Sequence, residues 1–183
     1  EKTQESFEKK FYNPKKHCLY DVLGDDKIRP NQLFAISLSH PVIENKDIAE
    51  EIIATVEKEL LTPYGLKTLA KGEEGYTEIY EGSPYKRDMS YHQGITWPWL
   101  LGLYYDGLKN LIIMERDRRT REELEGKLKG FVEKTRITFD VEMRQRSSID
   151  TISEIYDSCR PYEERGAFAQ AWSVAEIFRI IAQ

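Results

Sequence analysis

Two acidic residues of the sequence stand in aromatic surroundings, Asp88 in KRDMSYHQG and Glu154 in TISEIYDS. An acidic residue is usually exposed or caps a helix, whereas a carboxylate held among apolar neighbours is either paired or performs acid-base chemistry. For Asp88 the structural alternative is an ion pair with the basic residues directly before it. For Glu154 the flanking Ile152 and Ile155 predict partial burial. Composition alone does not choose between these interpretations.

A second feature is the junction of polar and aromatic residues in RDMSYHQGITWPWLLGLYYDGL, residues 87–108. It is compatible with two structures. It is either the buried start of a helix whose polar groups are satisfied internally, or the wall of a pocket for a polar ligand. The side chains concerned are Arg87, Asp88, His92 and Gln93, followed by Trp97 and Trp99.

Other kinds of site find little support in the sequence. The three histidines, His17, His40 and His92, are scattered and lack the spacing of metal ligands on a helix. There is no G-x-G-x-x-G and no P-loop, because KGEEG lacks the glycine spacing and the following lysine. Nothing marks an activated serine. The sequence therefore predicts neither a metal nor a cofactor.

Length and charge narrow the class of protein. The 183 residues suffice for one domain with a real core. A net charge of −5 argues against nucleic acid as the main partner, because phosphate binding needs a basic face. Four arginines do cluster between positions 116 and 121. Acidic residues are interleaved with them, which predicts a solvated start of a helix.

The sequence also favours a cellular location. No apolar run approaches the roughly 18 residues of a membrane span, so no membrane partner is expected. The start, EKTQESFEKK, lacks the hydrophobic region of a signal peptide. Cys18 and Cys159 are too few for a disulfide framework and are interpreted as thiols in a reducing compartment. These features favour the cytoplasm.

Helical periodicity dominates the elements that must position these side chains. One apolar stripe covers residues 48–60, behind a capping Asn45. A second covers residues 124–132 and starts at a T-x-x-E capping box formed by Thr120 and Glu123. Both patterns predict amphipathic helices.

Further helices are predicted along the chain. Apolar residues cover most of the circumference between positions 97 and 113, so that helix should be buried on most sides. A shorter helix is expected at 31–38 behind Pro30, and another within the first dozen residues. A third apolar stripe comprises Phe168, Ala171, Trp172, Ala175, Phe178 and Ile181.

The connection from Leu61 to Ser90 has a different character. It carries the turn signals TPYG, KGEEG and EGSP around two segments, GLKTLA and YTEIY, that can pair as a small hairpin. Nearly thirty residues without a helix are long for a plain connector, and such loops are usually functional or disordered. Its four tyrosines favour a functional loop.

The order of several motifs is more specific than any one of them. The blocks YHQG-x-x-WPWL and AQAWSVAE, together with the other matching stretches, resemble the C-terminal catalytic domain of glycogen debranching enzymes, the amylo-α-1,6-glucosidase part. The resemblance covers most of the chain except the charged stretch near 110–145. The matching stretches are LYDVL (19–23), IRPNQLFAISLSHP (28–41), LLTPYGLKTLA (60–70), GYTEIYEGSPYKRDMSYHQGITWPWLLGLYYDGL (75–108), ISEIYD (152–157) and RGAFAQAWSVAEIFR (165–179).

The resemblance implies an all-α fold, an (α/α)6 toroid in which six helical hairpins form two concentric rings. The sequence predicts six or seven of the dozen helices required. Residues 1–183 are therefore expected to be about the C-terminal half of a single toroid domain, with a small β-hairpin in the 61–90 loop. The upstream half of the same polypeptide is then an expected partner, and exposed apolar helix faces predict self-association.

The resemblance also implies a chemistry, inverting hydrolysis of the single α-1,6-linked glucose at a trimmed branch of glycogen or another branched α-glucan. One carboxylic acid protonates the leaving oxygen and one carboxylate activates water. Glu154 in SEIYD matches the general base of the family. The family's acid motif lies upstream of the segment matching LYDVL, so neither Asp21 nor Asp88 matches it. The isolated chain is therefore expected to be inactive.

With this resemblance, the pocket interpretation of residues 87–108 is favoured. A glucosyl unit presents hydroxyls at its edge and C–H groups on its faces, so its site needs planar hydrogen-bonding groups beside aromatic surface. Core packing remains the alternative for at least one of Trp97 and Trp99, and Gln170 and Trp172 face either the site or a helix interface. The predicted substrate contacts are Arg87, Asp88, His92, Gln93 and Trp97, with Asn31, Gln32 and Arg29 of the IRPNQ segment at the same rim.

Two other functions are compatible with the sequence. One is a glycan-binding or regulatory remnant without turnover, and the other is a helical interaction module without a sugar function. Glu154 together with the intact YHQG motif favours the glycosidase over the interaction module. The chain departs from the family pattern at Ser158, where glycine is frequent, at Ala167, where cysteine is frequent, and in the TFDVEMRQRSS segment, interpreted as a linker that could reposition Glu154.

Overall fold

The structure is a computed structural model that describes residues 2–146 and 150–182, and about half of the chain is helical. The α-helices of the described residues are α1 (Lys2–Phe11), α2 (Phe34–Ser37), α3 (Lys46–Glu59), α4 (Pro84–Ser90), α5 (Leu100–Met114), α6 (Arg118–Gln145) and α7 (Ala171–Ile181), and a 3-10 helix spans Pro30–Leu33. The strands are β1 (Tyr12–Asn13), β2 (Cys18–Leu19), β3 (Leu61–Thr62), β4 (Gly65–Lys67), β5 (Thr96–Trp97), β6 (Ile155–Tyr156) and β7 (Glu164–Arg165).

The amphipathic pattern of residues 48–60 forms α3 as predicted. The side chain of Asn45 accepts hydrogen bonds from the backbone N–H groups of Asp47 and Ile48 at 3.0 and 3.4 Å, which caps the helix. The apolar face of α3 is buried against α5, β2 and the 3-10 helix. The short helices expected near the start of the chain and behind Pro30 are also confirmed.

Helix α5 is the central element of the core, as its nearly all-round apolar sequence predicts. One buried cluster joins α5 to α2 and α3, and includes Ile36, Ile52 and Leu108. A second joins α5 to α6 and α7, and includes Tyr105 and Phe139. Because it contributes to both clusters, α5 is shielded on most sides.

Helix α6 begins earlier and ends later than the sequence indicates. Asp117, not Thr120, is its N-cap, because the Asp117 carboxylate accepts from both the backbone N–H and the hydroxyl of Thr120 at 2.9 Å. Exposed ion pairs of Arg118 with Glu122 and Arg119 with Glu123 confirm a solvated helix start. Residues 138–145, interpreted as a linker, continue this 28-residue helix, and the rest of that segment partly lies outside the described residues.

The third predicted stripe identifies a helix but not its buried face. The buried residues of α7 are Ser173, Ile177 and Ile180, which pack against α5 and α6. Phe168, Trp172 and Phe178 are exposed instead. Hydrophobic side chains occupy more than one face of this helix, so the apolar stripe does not say which face meets the core.

Two small antiparallel sheets interrupt the helices, so the expected all-α architecture is only partly correct. Strands β1 and β2 form one of them. The other has the order β3-β4-β5-β6-β7 and joins segments that are far apart in the sequence. Lys67, Thr96, Tyr156 and Glu164 are successive cross-strand neighbours in it. This sheet brings the YHQG, SEIYD and RGAFAQ motifs together.

The GLKTLA segment forms a strand of a hairpin, but its partner strand is not the predicted YTEIY segment. Gly65–Lys67 pairs with Leu61–Thr62 across the TPYG turn, and on its other side with Thr96–Trp97. The YTEIY segment forms no strand, because its backbone groups bond elsewhere: the Tyr80 N–H donates to the carboxylate of Asp157 at 2.8 Å. Hydrogen bonds to loop groups thus replace the expected ladder.

The connection from residue 61 to 90 also contains a helix that the sequence analysis missed. Helix α4 starts at Pro84, and the Ser83 side chain accepts from the Lys86 N–H at 3.3 Å. The EGSP segment was interpreted as a turn. A serine followed by proline is equally a helix N-cap with proline at the first helical position.

Candidate functional site

A cleft of about 340 Å³ opens between the 3-10 helix, β5 and α7. Larger hollows of about 730, 620 and 460 Å³ contain no tryptophan. The second of them adjoins the cleft, since it shares Arg29 with it and is lined by Gln93. All three tryptophans of the chain line the smaller cleft, which makes it the best match for a ligand with apolar faces. Its lining residues are Arg29, Pro30, Asn31, Thr68, Tyr91, His92, Trp97, Trp99, Leu100 and Trp172.

Stacked rings build the aromatic wall. Trp172 stacks on Trp99 with ring centroids 5.7 Å apart, and its edge meets Trp97 at 5.8 Å. Trp97 is only 3% exposed and donates its indole N–H to the Tyr91 carbonyl at 3.2 Å, so it mainly packs the wall. Trp172 is 45% exposed and offers ring surface to a ligand.

Arg29 organises the polar rim of the cleft. Its guanidinium donates to the carbonyl oxygens of Thr68 and His92 at 3.1 and 2.9 Å, and to the side-chain oxygen of Gln93 at 3.0 Å. The Asn31 amide donates to Asp21 at 2.8 Å next to it. These bonds fix planar polar groups beside the rings, which is the combination that a polyhydroxylated ring requires.

His92 reaches the cleft with its imidazole stacked on Trp97, ring centroids 5.2 Å apart. Loss of solvent around the ring and, secondly, the positive charge of Arg29 lower the pKa of His92 below its ordinary value. The imidazole is therefore neutral at neutral pH, and one nitrogen can donate while the other accepts. Asp88 and Glu154 are near enough to oppose this shift.

Glu154 lies next to the cleft, half-buried at the start of β6. Its Oε1 accepts a hydrogen bond from the hydroxyl of Tyr91 and a longer one, 3.4 Å, from the amide of Gln170. Its Oε2 accepts from the backbone N–H of Ala167 at 3.0 Å. Tyr91 also lines the cleft, so one side chain connects the carboxylate to the ligand space.

The electrostatics of Tyr91 agree with this arrangement. Burial and, secondly, the hydrogen bond to Glu154 raise the pKa of Tyr91 far above its ordinary value. The hydroxyl therefore keeps its proton and acts as a donor toward Glu154 at any physiological pH. A carboxylate held by neutral donors in this way can accept a proton from a water molecule.

Asp157, the last residue of SEIYD, has a structural role. It is buried, and it receives hydrogen bonds from the Arg165 guanidinium at 2.8 and 3.1 Å. Together with its bond to the Tyr80 N–H, this holds the β6–β7 hairpin onto the 61–90 connection. The SEIYD motif thus carries one residue at the cleft and one that anchors the scaffold.

The backbone of the 61–90 connection passes so close to Gly94 of YHQG that only glycine fits at this position. Its φ is +125°, and a Cβ at this position would clash with the carbonyl oxygen of Thr77 and the ring of Tyr76. We expect Gly94→Ala to destabilise the protein by more than about 2 kcal/mol, because strain and overlap add. Gly75→Ala is the matched control, since Gly75 has φ +87° and free space around it.

Urea unfolding of the two variants measures this difference. Gly75→Ala should show the smaller loss of unfolding free energy, from backbone strain alone. Equal losses in both variants would contradict a packing role for Gly94.

The structure brings together most of the residues that the sequence singled out. Glu154, His92, Gln93, Trp97 and Asn31 all lie at or beside the cleft. Arg29 and Trp172 also line it, and Gln170 bonds to Glu154 beside it.

Three predicted contact residues are placed differently. Arg87 and Asp88 are exposed on α4 and do not line the cleft. Gln32 is 5% exposed, and its amide bonds internally to the Leu19 N–H at 3.3 Å and the Arg29 carbonyl at 2.9 Å. Its geometry suits a structural amide.

Sequence reasoning did not identify Tyr91 or Gly166 as neighbours of Glu154. Tyr91 precedes the HQG residues of the motif, and Gly166 stands in RGAFAQ, so both were inside matched segments. Their proximity to Glu154 depends on the pairing of distant strands, which no local pattern encodes.

Among residues 2–146 and 150–182, no group of three or more histidine, cysteine or acidic side chains is arranged to hold a metal ion. Across the same residues, no helix combines the length and the apolar character that spanning a bilayer demands. Cys18 and Cys159 are both free thiols.

A comparison with protein families gives one match. The model of the family described as amylo-alpha-1,6-glucosidase matches residues 1–179. The match includes every residue that lines the cleft, as well as Glu154.

Proposed function

Because the chain belongs to the amylo-alpha-1,6-glucosidase family, we propose that it hydrolyses the α-1,6-linked glucose at branch points of glycogen or a related branched α-glucan, with inversion at the anomeric carbon. Membership of the family supports a glycosidase of the glycogen-debranching type. The bond that is cleaved, the inversion and the role of each residue are our proposal.

The observation that carries the proposal is the position of Glu154. Its carboxylate is fixed by the Tyr91 hydroxyl and the Ala167 N–H, and Tyr91 forms part of a cleft lined by three tryptophans. A glucosyl ring can place its C–H faces against Trp172 and Trp99 and its hydroxyls toward His92. The carboxylate then stands beside the reacting sugar.

In the proposed reaction Glu154 is the general base. A water oxygen attacks the anomeric carbon, the water proton passes to the Glu154 carboxylate, and the bond from the anomeric carbon to the O6 oxygen breaks. The leaving O6 oxygen takes a proton from a second carboxylic acid. The resemblance assigns that acid to no residue of this sequence, so we assign none.

We further propose that the helices belong to an (α/α)6 toroid completed by the upstream half of the same polypeptide. The exposed aromatic side chains Phe168 and Phe178 on and before α7 support this, because large apolar groups at a surface usually pack against another element. The proposed location is the cytoplasm, where branched α-glucan would be the substrate.

Intrinsic fluorescence provides the test of sugar binding. Since all three tryptophans line the cleft, tryptophan emission, excited selectively over that of the eleven tyrosines, reports on this site. We expect a branched maltooligosaccharide with an α-1,6-linked glucose to change the emission with a saturating curve. Cellobiose, a β-linked control, should cause no saturable change at the same concentration.

A Trp172→Ala variant sharpens the binding test. Removing its exposed ring should weaken the affinity for the branched oligosaccharide at least tenfold, because ring stacking on the sugar face is lost. Identical titration curves for the α- and β-linked sugars would contradict the proposed function.

A further inference from the structure

Glu154 is bound to the opposite strand of its hairpin through both backbone and side chain. The Glu154 N–H donates to the Ala167 carbonyl at 2.9 Å, and the Ala167 N–H donates to Oε2 of Glu154 at 3.0 Å. The pairs Ile155 with Arg165 and Tyr156 with Glu164 continue this register. The hairpin therefore places Gly166 directly against the Glu154 side chain.

Gly166 leaves no room for any side chain at this point. Its φ is +71°, and a Cβ would clash with Oε2 of Glu154 and lie 3.1 Å from the Glu154 Cβ. The same Cβ would lie 3.0 Å from Cγ1 of Ile155, which is fully buried. Any larger residue at position 166 must displace the carboxylate.

Tyr91 holds the carboxylate from the other side. Its hydroxyl donates to Oε1, and its ring is fixed by edge contacts with Trp97 at 4.8 Å and a tilted contact with Tyr80 at 5.7 Å. The donor position is thus set by the same wall that lines the cleft. The two carboxylate oxygens are fixed by two independent elements, the β6–β7 hairpin and the YHQG segment.

We propose that Gly166 and Tyr91 are positioning residues that hold the carboxylate of Glu154 in one orientation beside the cleft, Gly166 by leaving space for Oε2 and Tyr91 by donating to Oε1. This inference rests on the proposed role of Glu154 as general base. A base must lie within hydrogen-bond reach of the proton that it takes, so a shift of about 1 Å costs about a hundredfold in rate.

The first test compares two glycine substitutions in the full-length protein. Gly166→Ala should lower kcat for glucose release from a branched limit dextrin about a hundredfold, with KM within about threefold of the wild-type value. Gly72→Ala is the matched control, because Gly72 also has a positive φ, +99°, but no atom near the added Cβ. Its kcat should stay within about twofold of wild type.

A rescue experiment separates displacement of the carboxylate from general damage to the fold. Glu154→Asp withdraws the carboxylate by one methylene from the position that the new Cβ occupies. In the Glu154→Asp background, Gly166→Ala should therefore lower kcat by less than about threefold, whereas Gly72→Ala should have the same effect in both backgrounds. A full hundredfold loss in both backgrounds would overturn the role of Gly166.

Tyr91→Phe tests the hydrogen bond to Oε1 of the carboxylate. It tests the positioning role even if Gly166→Ala does not fold. The ring and its packing remain, and only the donor to Oε1 is lost. The expected loss in kcat is about tenfold to a hundredfold, the value of a hydrogen bond to a charged group. Tyr85→Phe, at an exposed tyrosine of α4, should leave kcat unchanged.

The outcomes separate this inference from the proposed function. Normal turnover by a Glu154→Gln variant would show that Glu154 is not the general base, and the positioning role proposed for Gly166 and Tyr91 would then be wrong as well. Loss of turnover in Glu154→Gln, with normal kcat in both Tyr91→Phe and Gly166→Ala, would leave the base in place and overturn the positioning role.

Discussion

Glu154→Gln should lower hydrolysis of the α-1,6-linked glucose in the full-length protein by about two to four orders of magnitude. The amide has nearly the shape of the carboxylate. Its oxygen can still accept from the Ala167 N–H, and its NH2 group can donate to the oxygen of the Tyr91 hydroxyl. It cannot take a proton from the attacking water, which is the loss that acid-base groups of this kind show. Release of glucose from a branched limit dextrin is the measurement.

The control for this variant lies on the same hairpin. Glu163 is exposed and does not line the cleft, so Glu163→Gln makes the same change of charge away from the site. Glu163→Gln should retain wild-type kcat. Near-normal glucose release by Glu154→Gln would show that Glu154 is not the general base, whereas saturable binding of the branched oligosaccharide without turnover in the wild-type protein would favour the glycan-binding remnant.

The helices that carry the core were largely predictable from the sequence. In α3 the apolar residues lie on one stripe behind a capping asparagine, and the structure buries that stripe. Helix α5 is apolar around most of its circumference and is shielded by two clusters. In both cases the periodicity of the sequence and its burial have the same cause, contact with neighbouring helices.

In helix α7 the periodicity of the sequence does not identify the buried face. Trp172 belongs to the third apolar stripe, and the sequence left open whether it faces the site or a helix interface. The structure places it in the cleft, stacked on Trp99. An aromatic side chain that contacts a ligand is as hydrophobic as one that packs in the core, so the periodicity of the sequence does not distinguish the two.

The five-stranded sheet could not be predicted because its strands are only two or three residues long. Alternation with a period of two needs a longer run to stand out from chance. The strands also pair across long sequence separations, so that β5 contacts both β4 and β6. The neighbours of Glu154 follow from this pairing, whereas Glu154 itself was identified by resemblance.

Two acidic residues, Glu142 of α6 and Glu164 of β7, meet where the β6–β7 hairpin packs on α6. Glu142 of α6 is 3% exposed, and it meets Glu164 of β7 across the guanidinium of Arg146, which is 3.3 Å from Glu142 and 2.9 Å from Glu164. The Tyr156 hydroxyl donates to Glu142 at 2.8 Å, and Arg146 also bonds to the hydroxyl of Tyr64. Two carboxyl groups thus share one guanidinium, so one of them is most stable when protonated.

This geometry accounts for the titration of Glu142. Burial and, secondly, the contact with Glu164 raise the pKa of Glu142 from its ordinary value of 4.5 to about 7. Between these two values the folded protein keeps a proton that the unfolded chain has released. The contribution of this group to stability is therefore fully present below pH 4.5 and is lost as the pH rises to about 7.

We expect Glu142→Gln to remove that part of the pH dependence. In the wild-type protein this group should lower the unfolding free energy by on the order of 3 kcal/mol between pH 4.5 and 8, because each unit of pKa shift corresponds to about 1.4 kcal/mol. A glutamine cannot ionise, so the variant should lack this decrease. Urea unfolding at a series of pH values measures both curves.

Glu125→Gln, at an exposed position of the same helix, is the control and should follow the wild-type curve. Parallel curves for wild type and Glu142→Gln would show that the pair shares no proton.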